Sequence, residues 1–207
     1  MPARSASSSH EHRLILASKS SSRASVMRSA GLVFTQITAG VDEDAIKAAM
    51  RDDGASCAEQ ADRLAETKAM KVSVSNLGVV LGADQMLDLE GAGFDKPGSR
   101  EEAREQLKQL RGKTHILQTS VVACIEGSPV WRHLAQPKLR MRNFSDAFLE
   151  AYLDEAGDAI FSTVGGYQIE GRGAQLFDRM DGDYFSILGL PLLPLLAWLR
   201  DRGTLTS

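Results

Sequence analysis

The patterned part of the chain opens on a short apolar run, Leu14-Ile15-Leu16, which stops at the serine-rich turn Ala17-Ser18-Lys19-Ser20-Ser21-Ser22-Arg23. A compact apolar run bounded by turn residues reads as a buried strand. Ala24, Met27 and Ala30 then recur at helical spacing, with Gly31 as the stop. Val33 to Thr38 reads as a second strand, ending before the acidic turn Val41-Asp42-Glu43-Asp44. A long helix is predicted from Ser56 to about Asn76. Ser56 and Glu59 have the spacing of a capping box, and Ala58, Ala61, Leu64, Ala65, Ala69 and Val72 form its apolar stripe.

Val79, Val80 and Leu81 read as a buried strand entering Gly82, where a ligand can come close to the backbone. Asp84 interrupts that strand, and a carboxylate in such a place needs a partner or a metal. Glu90-Gly91-Ala92-Gly93 reads as a hairpin turn whose antiparallel return brings Lys96 back towards the level of Asp84. Ser99 and Glu102 suggest a second capping box, before a helix carrying Ala103, Leu107 and Leu110 and ending at Gly112. His115 to Ile125 reads as a long strand that Gly127-Ser128-Pro129 turns into another, Val130 to about Met141. Ser145 caps a helix with Phe148, Leu149, Tyr152 and Leu153. The glycine-dense stretch Val164 to Gly173 reads as an ordered functional loop. A short strand, Ala174 to Met180, and the turn Asp181-Gly182-Asp183 lead to a final helix with Pro191 near its first turn. Strands that first alternate with helices and then pair through hairpins predict a mixed sheet in an α/β architecture.

Composition narrows the function classes. A chain of 207 residues, 43% hydrophobic and 25% charged, fits an ordinary globular protein with one sizeable core or two lobes sharing a sheet. A net charge of −3 does not favour binding to nucleic acid or an anionic membrane. The segment 1–12 is rich in Ser and charge, lacks an apolar signal core and reads as a disordered leader, which leaves 13–207 as one domain. Ile187 to Leu199 is apolar but broken by Gly189, Pro191 and Pro194 and too short to span a bilayer. Cys57 and Cys124 read as buried, reduced thiols, and the chain reads as cytoplasmic.

Candidate chemistry clusters in few places. Ser18, Ser20 and Arg23 lie where a strand feeds a helix N-terminus, a setting that suits phosphate; they also read as an ordinary serine cap with a solvated arginine. Glu43 suits a hard cation, or simply helps to cap the next helix. Lys68 sits on the alanine stripe, either reaching a ligand or snorkelling, whereas Lys71 reads as plain surface. Asp84 suits a metal ligand or the base that activates water, and Lys96, fixed before Pro97, suits a phosphate contact. His115 reads as a structural hydrogen-bonding residue and His133 as surface.

Taken in order, Leu16-Ala17-Ser18-x-Ser20 with Arg23, the acidic turn with Glu43, Leu64-Ala65-x-x-Lys68-Ala69, Leu81-Gly82-Ala83-Asp84, Lys96-Pro97, Leu110-x-Gly112-x-x-His115 and Gly189-Leu190-Pro191 resemble the Maf family of nucleoside triphosphate pyrophosphatases from Leu14 to about Arg202. The resemblance implies an elongated mixed β-sheet with flanking helices forming two lobes around a central cleft, related to inosine triphosphatases. It implies a homodimer and a reaction that cleaves a nucleotide between its α- and β-phosphates. By the same resemblance Asp84 is the proton acceptor and Glu43 and Asp84 hold Mg²⁺ or Mn²⁺. Ser18, Ser20, Arg23, Lys68 and Lys96 hold the triphosphate. Specificity falls to Ser22, Gln85 and Glu170. Many members have Arg, Thr and Gln at those three places, the set of the branch acting on dTTP and UTP; Ser22, Gln85 and Glu170 resemble the 7-methyl-GTP branch instead. A carboxylate at Glu170 accepts hydrogen bonds from the guanine N1–H and amine and attracts the charge of an N7-methylated base. A dTTP/UTP pyrophosphatase and a non-catalytic nucleotide-binding regulator of cell division are the alternatives.

Overall fold

The computed structural model describes residues 13–206, so the leader expected over 1–12, with His10 and His12, lies outside the described residues. The strands are β1 (Leu14–Leu16), β2 (Thr35–Gln36), β3 (Val79–Leu89), β4 (Ala92–Phe94), β5 (Thr114–Ile125), β6 (Ser128–Ala135), β7 (Lys138–Met141) and β8 (Phe177–Asp181). The helices are α1 (Ser21–Ser29), α2 (Glu43–Asp52), α3 (Cys57–Ser73), α4 (Arg100–Leu110), α5 (Asp146–Ala156), α6 (Tyr184–Ile187) and α7 (Leu192–Asp201). Hydrogen bonding orders the strands β2-β1-β3-β5-β7-β8, with β4 beside β3 and β6 beside β5. The predicted mixed α/β sheet is what forms. Among the described residues no helix is long and apolar enough to cross a membrane.

The described residues divide into two compact units, and β3 and β5 each contribute to both. The first unit holds the residues up to Asp84, Thr119–Ala135 and the residues from Tyr184 onward. Here β1 runs parallel to β2 and β3, pairing Ile15 with both Thr35 and Val80. The side-chain period of two divides the core between two faces. Leu14, Leu16, Leu81, Ala83 and Val121 pack with Met27 of α1 and Leu195 and Leu199 of α7. Ile15, Ala17, Val80, Val122 and Cys124 pack with Ala65, Ala69 and Val72 of α3. Burial on both faces explains why the run Val79 to Leu81 is apolar at every position.

Gly82 belongs to the α3 face, and its role is a correction to the sequence reading. A Cβ there would lie 2.0 Å from the Ala65 carbonyl oxygen and 2.7 Å from the Ala69 nitrogen. Its missing side chain admits the α3 backbone, not a ligand. The small Ala65 and Ala69 serve the same close approach. The strand then continues through Asp84 to Leu89, so the acid does not interrupt it. Period two carries Val80, Gly82 and Asp84 along one face.

The second unit holds Gln85–Gln118 and Gln136–Asp183. Its β3–β4 hairpin turns through Glu90 and Gly91, both at positive φ, and pairs Leu87 with Phe94. Pairing stops at Phe94 and does not extend to Lys96. β5 pairs with β7 and β7 with β8, both antiparallel. The strand predicted over Val130 to Met141 is two strands, because Pro137 cannot donate a ladder hydrogen bond. The strand expected from Ala174 starts only at Phe177, since Arg172–Leu176 forms a 3₁₀ turn. The second predicted strand shrinks to Thr35–Gln36, and α6 intervenes before the final helix. The capping box at Ser56 forms in full. That at Ser99 is half made: its hydroxyl accepts from the Glu102 N–H, but the Glu102 carboxylate accepts from the Gly98 N–H at 2.8 Å.

Gly82→Ala should therefore cost about 3 kcal/mol through forced separation of α3 from β3, read as a shift in urea midpoint. Gly171→Ala, where a Cβ meets open space, should change stability by no more than about 0.5 kcal/mol. Equal midpoints for the two variants would contradict the close packing at Gly82.

Candidate active site

The first unit holds two hydrogen-bonded groups, Ser18–Ser20–Arg23 and Glu43–Lys68–Asp84, and the charge of Arg23 is felt by both carboxylates. Lys68 rides the buried face of α3, one turn past Ala65, and so meets the face of β3 that carries Asp84. Its ammonium donates to Asp84 Oδ1 at 2.7 Å and lies 3.0 Å from Glu43 Oε1. The Lys68 and Asp84 side chains are each 8% exposed, so neither charge is held by bulk water. Breaking such a pair by removing one partner typically costs about 3–5 kcal/mol, because the other charge stays buried.

Glu43 reaches Lys68 because α2 starts there. Asp42 caps the helix, accepting from the Ala45 N–H at 3.0 Å. The Lys71 ammonium, on α3, bonds the Gly40 carbonyl at 2.5 Å and ties down the segment leading into α2. Lys71 is exposed, as the sequence reading has it, and this bond adds a structural role. Burial by itself would raise the Glu43 carboxyl; the Lys68 ammonium, with Lys47 and Arg23, outweighs it and holds the group below its usual value.

At the start of α1, Ser20 is the N-cap and accepts from the Arg23 N–H at 3.3 Å. Ser18 is buried and accepts from the Ser20 N–H and from Arg23 Nη1, each at 3.2 Å. Arg23 Nε donates to the Gly189 carbonyl at 2.8 Å, and Gln36 Nε2 donates to the Ser18 carbonyl at 2.7 Å. Burial lowers the Arg23 pKa, while the charges of Asp84 and Glu43 oppose it. Ser22 is half-buried in the first turn of α1. Sequence reading missed the parts of Gly189 and Gln36. Gly189 at least lay in a quoted motif, and its positive φ of 97° leaves its α-carbon bare beside the guanidinium. Nothing local to Gln36 announced its role.

Gln85, Lys96 and Glu170 lie in the second unit. Gln85 follows Asp84 on β3, and the pleat turns it to the opposite face. Lys96 is exposed, and α4 holds the chain on either side of it: Gln106 Nε2 donates to the Asp95 carbonyl at 3.1 Å and Glu102 accepts from Gly98. Glu170 is exposed in the turn between two 3₁₀ segments, Val164–Gly166 and Arg172–Leu176. His115 is buried with Nε2 2.6 Å from the Tyr167 hydroxyl, and burial lowers its pKa to about 4, which suits a structural residue. His133 is half-buried and stacks on Trp131, which stacks in turn on Trp198.

Chemically, two carboxylates sharing one ammonium form a place that already accepts a cation. Asp84 and Glu43 fit a hard divalent ion in charge and donor type. Among the described residues no group of three or more His, Cys, Asp or Glu could hold a metal ion. An ion there would take its remaining ligands from phosphate oxygens and water. The N-terminus of α1 with Arg23 offers donors for phosphate.

The electrostatics of Glu43 predict a pH dependence. Its folded pKa lies below the ordinary 4.5, so folding releases protons from this group as pH nears that value. Its stabilisation is complete above the unfolded pKa and fades as pH falls through the lowered folded one. The stability gap between wild type and Glu43→Gln, measured by urea titration, should hold steady near neutrality and shrink below about pH 4.5. A gap that stays constant through that range would contradict the Lys68 pairing.

With this geometry in place, known proteins supply the comparison. The family described as Maf-like protein matches residues 13–202. A nucleoside triphosphate pyrophosphatase of Hyphomonas neptunium is 52% identical over 192 residues, covering 93% of this chain and 97% of that protein. One of Caulobacter vibrioides is 49% identical, covering 92% and 96%. A 7-methyl-GTP pyrophosphatase of Brucella abortus is 46% identical, covering 91% and 95%. The match spans every residue of the bridged Glu43–Lys68–Asp84 set, and the chain belongs to the Maf family.

Proposed function

We propose that this Maf enzyme is a nucleoside triphosphate pyrophosphatase whose substrate is 7-methyl-GTP, released as the monophosphate and pyrophosphate. The buried Lys68 bridge between Asp84 and Glu43, beside the phosphate-suited turn of Ser18, Ser20 and Arg23, is the observation that carries the reaction. Water attacks the α-phosphorus while the bond from that phosphorus to the bridging oxygen breaks, and pyrophosphate leaves. Asp84 takes the proton that the water loses. Lys68 orients that carboxylate, and Arg23 with the α1 N–H groups stabilises charge developing on phosphate oxygens. Glu43 and Asp84 would hold a divalent ion, Mg²⁺ or Mn²⁺, which would supply neutralisation of the triphosphate and polarisation of the phosphorus under attack. Lys96 is assigned a phosphate contact by the family resemblance, which also supports a cytoplasmic homodimer.

The relatives at 52% and 49% identity carry only the broader activity in their names, so the choice of base rests on particular side chains. Glu170 is exposed in the glycine-rich turn, able to accept from paired guanine donors and attract a methylated, positively charged purine. Gln85 and Ser22 agree with that branch. Pyrimidines offer no matching donor pair.

Pyrophosphate release from 7-methyl-GTP, GTP, UTP and dTTP, compared on one preparation with Mg²⁺ or Mn²⁺, tests the proposal. The highest kcat/KM should fall to 7-methyl-GTP, and Asp84→Asn should lower kcat by about 10²- to 10⁴-fold with the circular dichroism spectrum retained. Preference for UTP or dTTP would overturn the substrate. Tight nucleotide binding without release from any of the four would instead favour a regulator.

A further inference from the structure

We infer that α5 is the platform that positions the Glu170 turn for reading the base, with Tyr152 its positioning residue. The inference rests on Glu170 contacting the base. The turn hangs between two fixed points, both within the second unit. Ahead of it, the Tyr152 hydroxyl donates to the Gly166 carbonyl at 3.0 Å, and the backbone of Gln168 hydrogen-bonds the same phenol oxygen. Thr163 Oγ1 donates to the Tyr167 carbonyl at 2.7 Å, and the Tyr167 hydroxyl meets buried His115. Three successive residues, Gly166 to Gln168, are therefore each held by a side chain from elsewhere in the unit.

Beyond the turn, Gly173 closes it. A Cβ at Gly173 would lie 2.3 Å from the Gln168 carbonyl oxygen, so the two ends of the segment meet backbone to backbone. The Arg172 guanidinium pairs with Glu155 of α5 and lies 5.7 Å from the centre of the Phe148 ring, also on α5. One helix thus grips both sides of the turn, through Tyr152 before Glu170 and through Phe148 and Glu155 after it. Burial raises the Tyr152 phenol to about 12, which keeps it a neutral donor over the working range. Glu170 itself stays exposed, so its direction is set by the turn and not by packing of its own side chain.

The scale of the arrangement follows from geometry. A carboxylate reading two donors on one base edge loses discrimination when it moves by a fraction of a hydrogen-bond length, whereas phosphate contacts elsewhere are indifferent to it. A positioning role therefore acts on KM for the preferred base and leaves other substrates alone.

Tyr152→Phe removes the hydroxyl while keeping the ring. It should lower the ratio of kcat/KM for 7-methyl-GTP over UTP by about tenfold, through KM, with UTP turnover nearly unchanged and the melting temperature lowered by only a few degrees. Glu170→Gln should lower the same ratio, and adding Tyr152→Phe to Glu170→Gln should lower it no further. If Glu170→Gln leaves the ratio intact, the base-reading role of Glu170 fails, and the positioning role with it. If Glu170→Gln lowers the ratio but Tyr152→Phe does not, or if Tyr152→Phe slows every substrate alike, only the positioning inference is overturned. Should Tyr152→Phe fail to fold, Thr163→Val decides instead: it frees the Tyr167 carbonyl and should reduce the ratio in the same direction, and an unchanged ratio would overturn the inference.

Discussion

A buried ammonium cannot stand alone, and the geometry of the first unit is arranged around the one at Lys68. Its side chain and that of Asp84 are almost wholly withdrawn from water, so each is tolerable only because the other is within hydrogen-bond distance. That distance depends on how closely α3 lies on β3. Gly82, with Ala65 and Ala69 opposite, sets the approach by leaving room for helix backbone where a side chain would stand. Glu43 adds a second carboxylate to the same ammonium only because Asp42 starts α2 at that point and Lys71 pins Gly40 before it. Packing, capping and ion pairing here are one constraint.

Features governed by neighbours in sequence were legible without coordinates. The apolar run of β3, the alanine stripe of α3, the Ser56 capping box and the Glu90-Gly91 hairpin each follow from a period or a turn preference. Asp84 was legible as a residue needing a partner, and Lys68 as one facing inward. Their pairing was not, because no local rule states which helix lies over which strand. The same limit hid the Arg23 link to Gly189, two residues separated by most of the chain. Where the reading was wrong, an unweighed physical term decided the outcome. Asp84 was expected to break β3, yet a strand tolerates an acid whose charge is met by a lysine on the facing helix. Gly82 was expected to admit a ligand, yet close helix packing demands the same bare backbone. Val130 to Met141 was expected as one strand, yet Pro137 removes a donor the ladder needs.

The two units embody different kinds of order. In the first, candidate residues are held by charge in a buried setting, and each is a partner of another: Ser18 of Arg23, Lys68 of Asp84 and Glu43. In the second, Lys96 and Glu170 are exposed, and what is ordered is the chain beneath them, through Gln106 and Glu102 in one case and Tyr152 and Thr163 in the other. Buried pairs fix the orientation of the charged groups. An exposed side chain on a pinned backbone, such as Glu170, is aimed by the chain beneath it. Under the proposed function, chemistry and recognition make opposite demands on burial, and the two kinds of order answer them separately.

Charge in the bridged cluster argues for a triphosphate as its occupant. Arg23 and Lys68 supply two positive charges and Glu43 and Asp84 two negative ones, so the cluster is formally neutral by itself. A triphosphate brings several negative charges, and a divalent ion accompanying it offsets part of them. Under the proposed function that ion cancels two of the triphosphate's negative charges, which lowers the electrostatic cost of ligand entry. A neutral ligand would find Lys68 already engaged with both carboxylates and would have to break ion pairs without replacing them. The lowered Glu43 pKa fits this logic, because a carboxylate already held ionised by Lys68 can turn to an incoming cation without first losing a proton. On the proposed reading, the internal ion pairs preorganise the polar groups for a substrate that carries its own counter-ion.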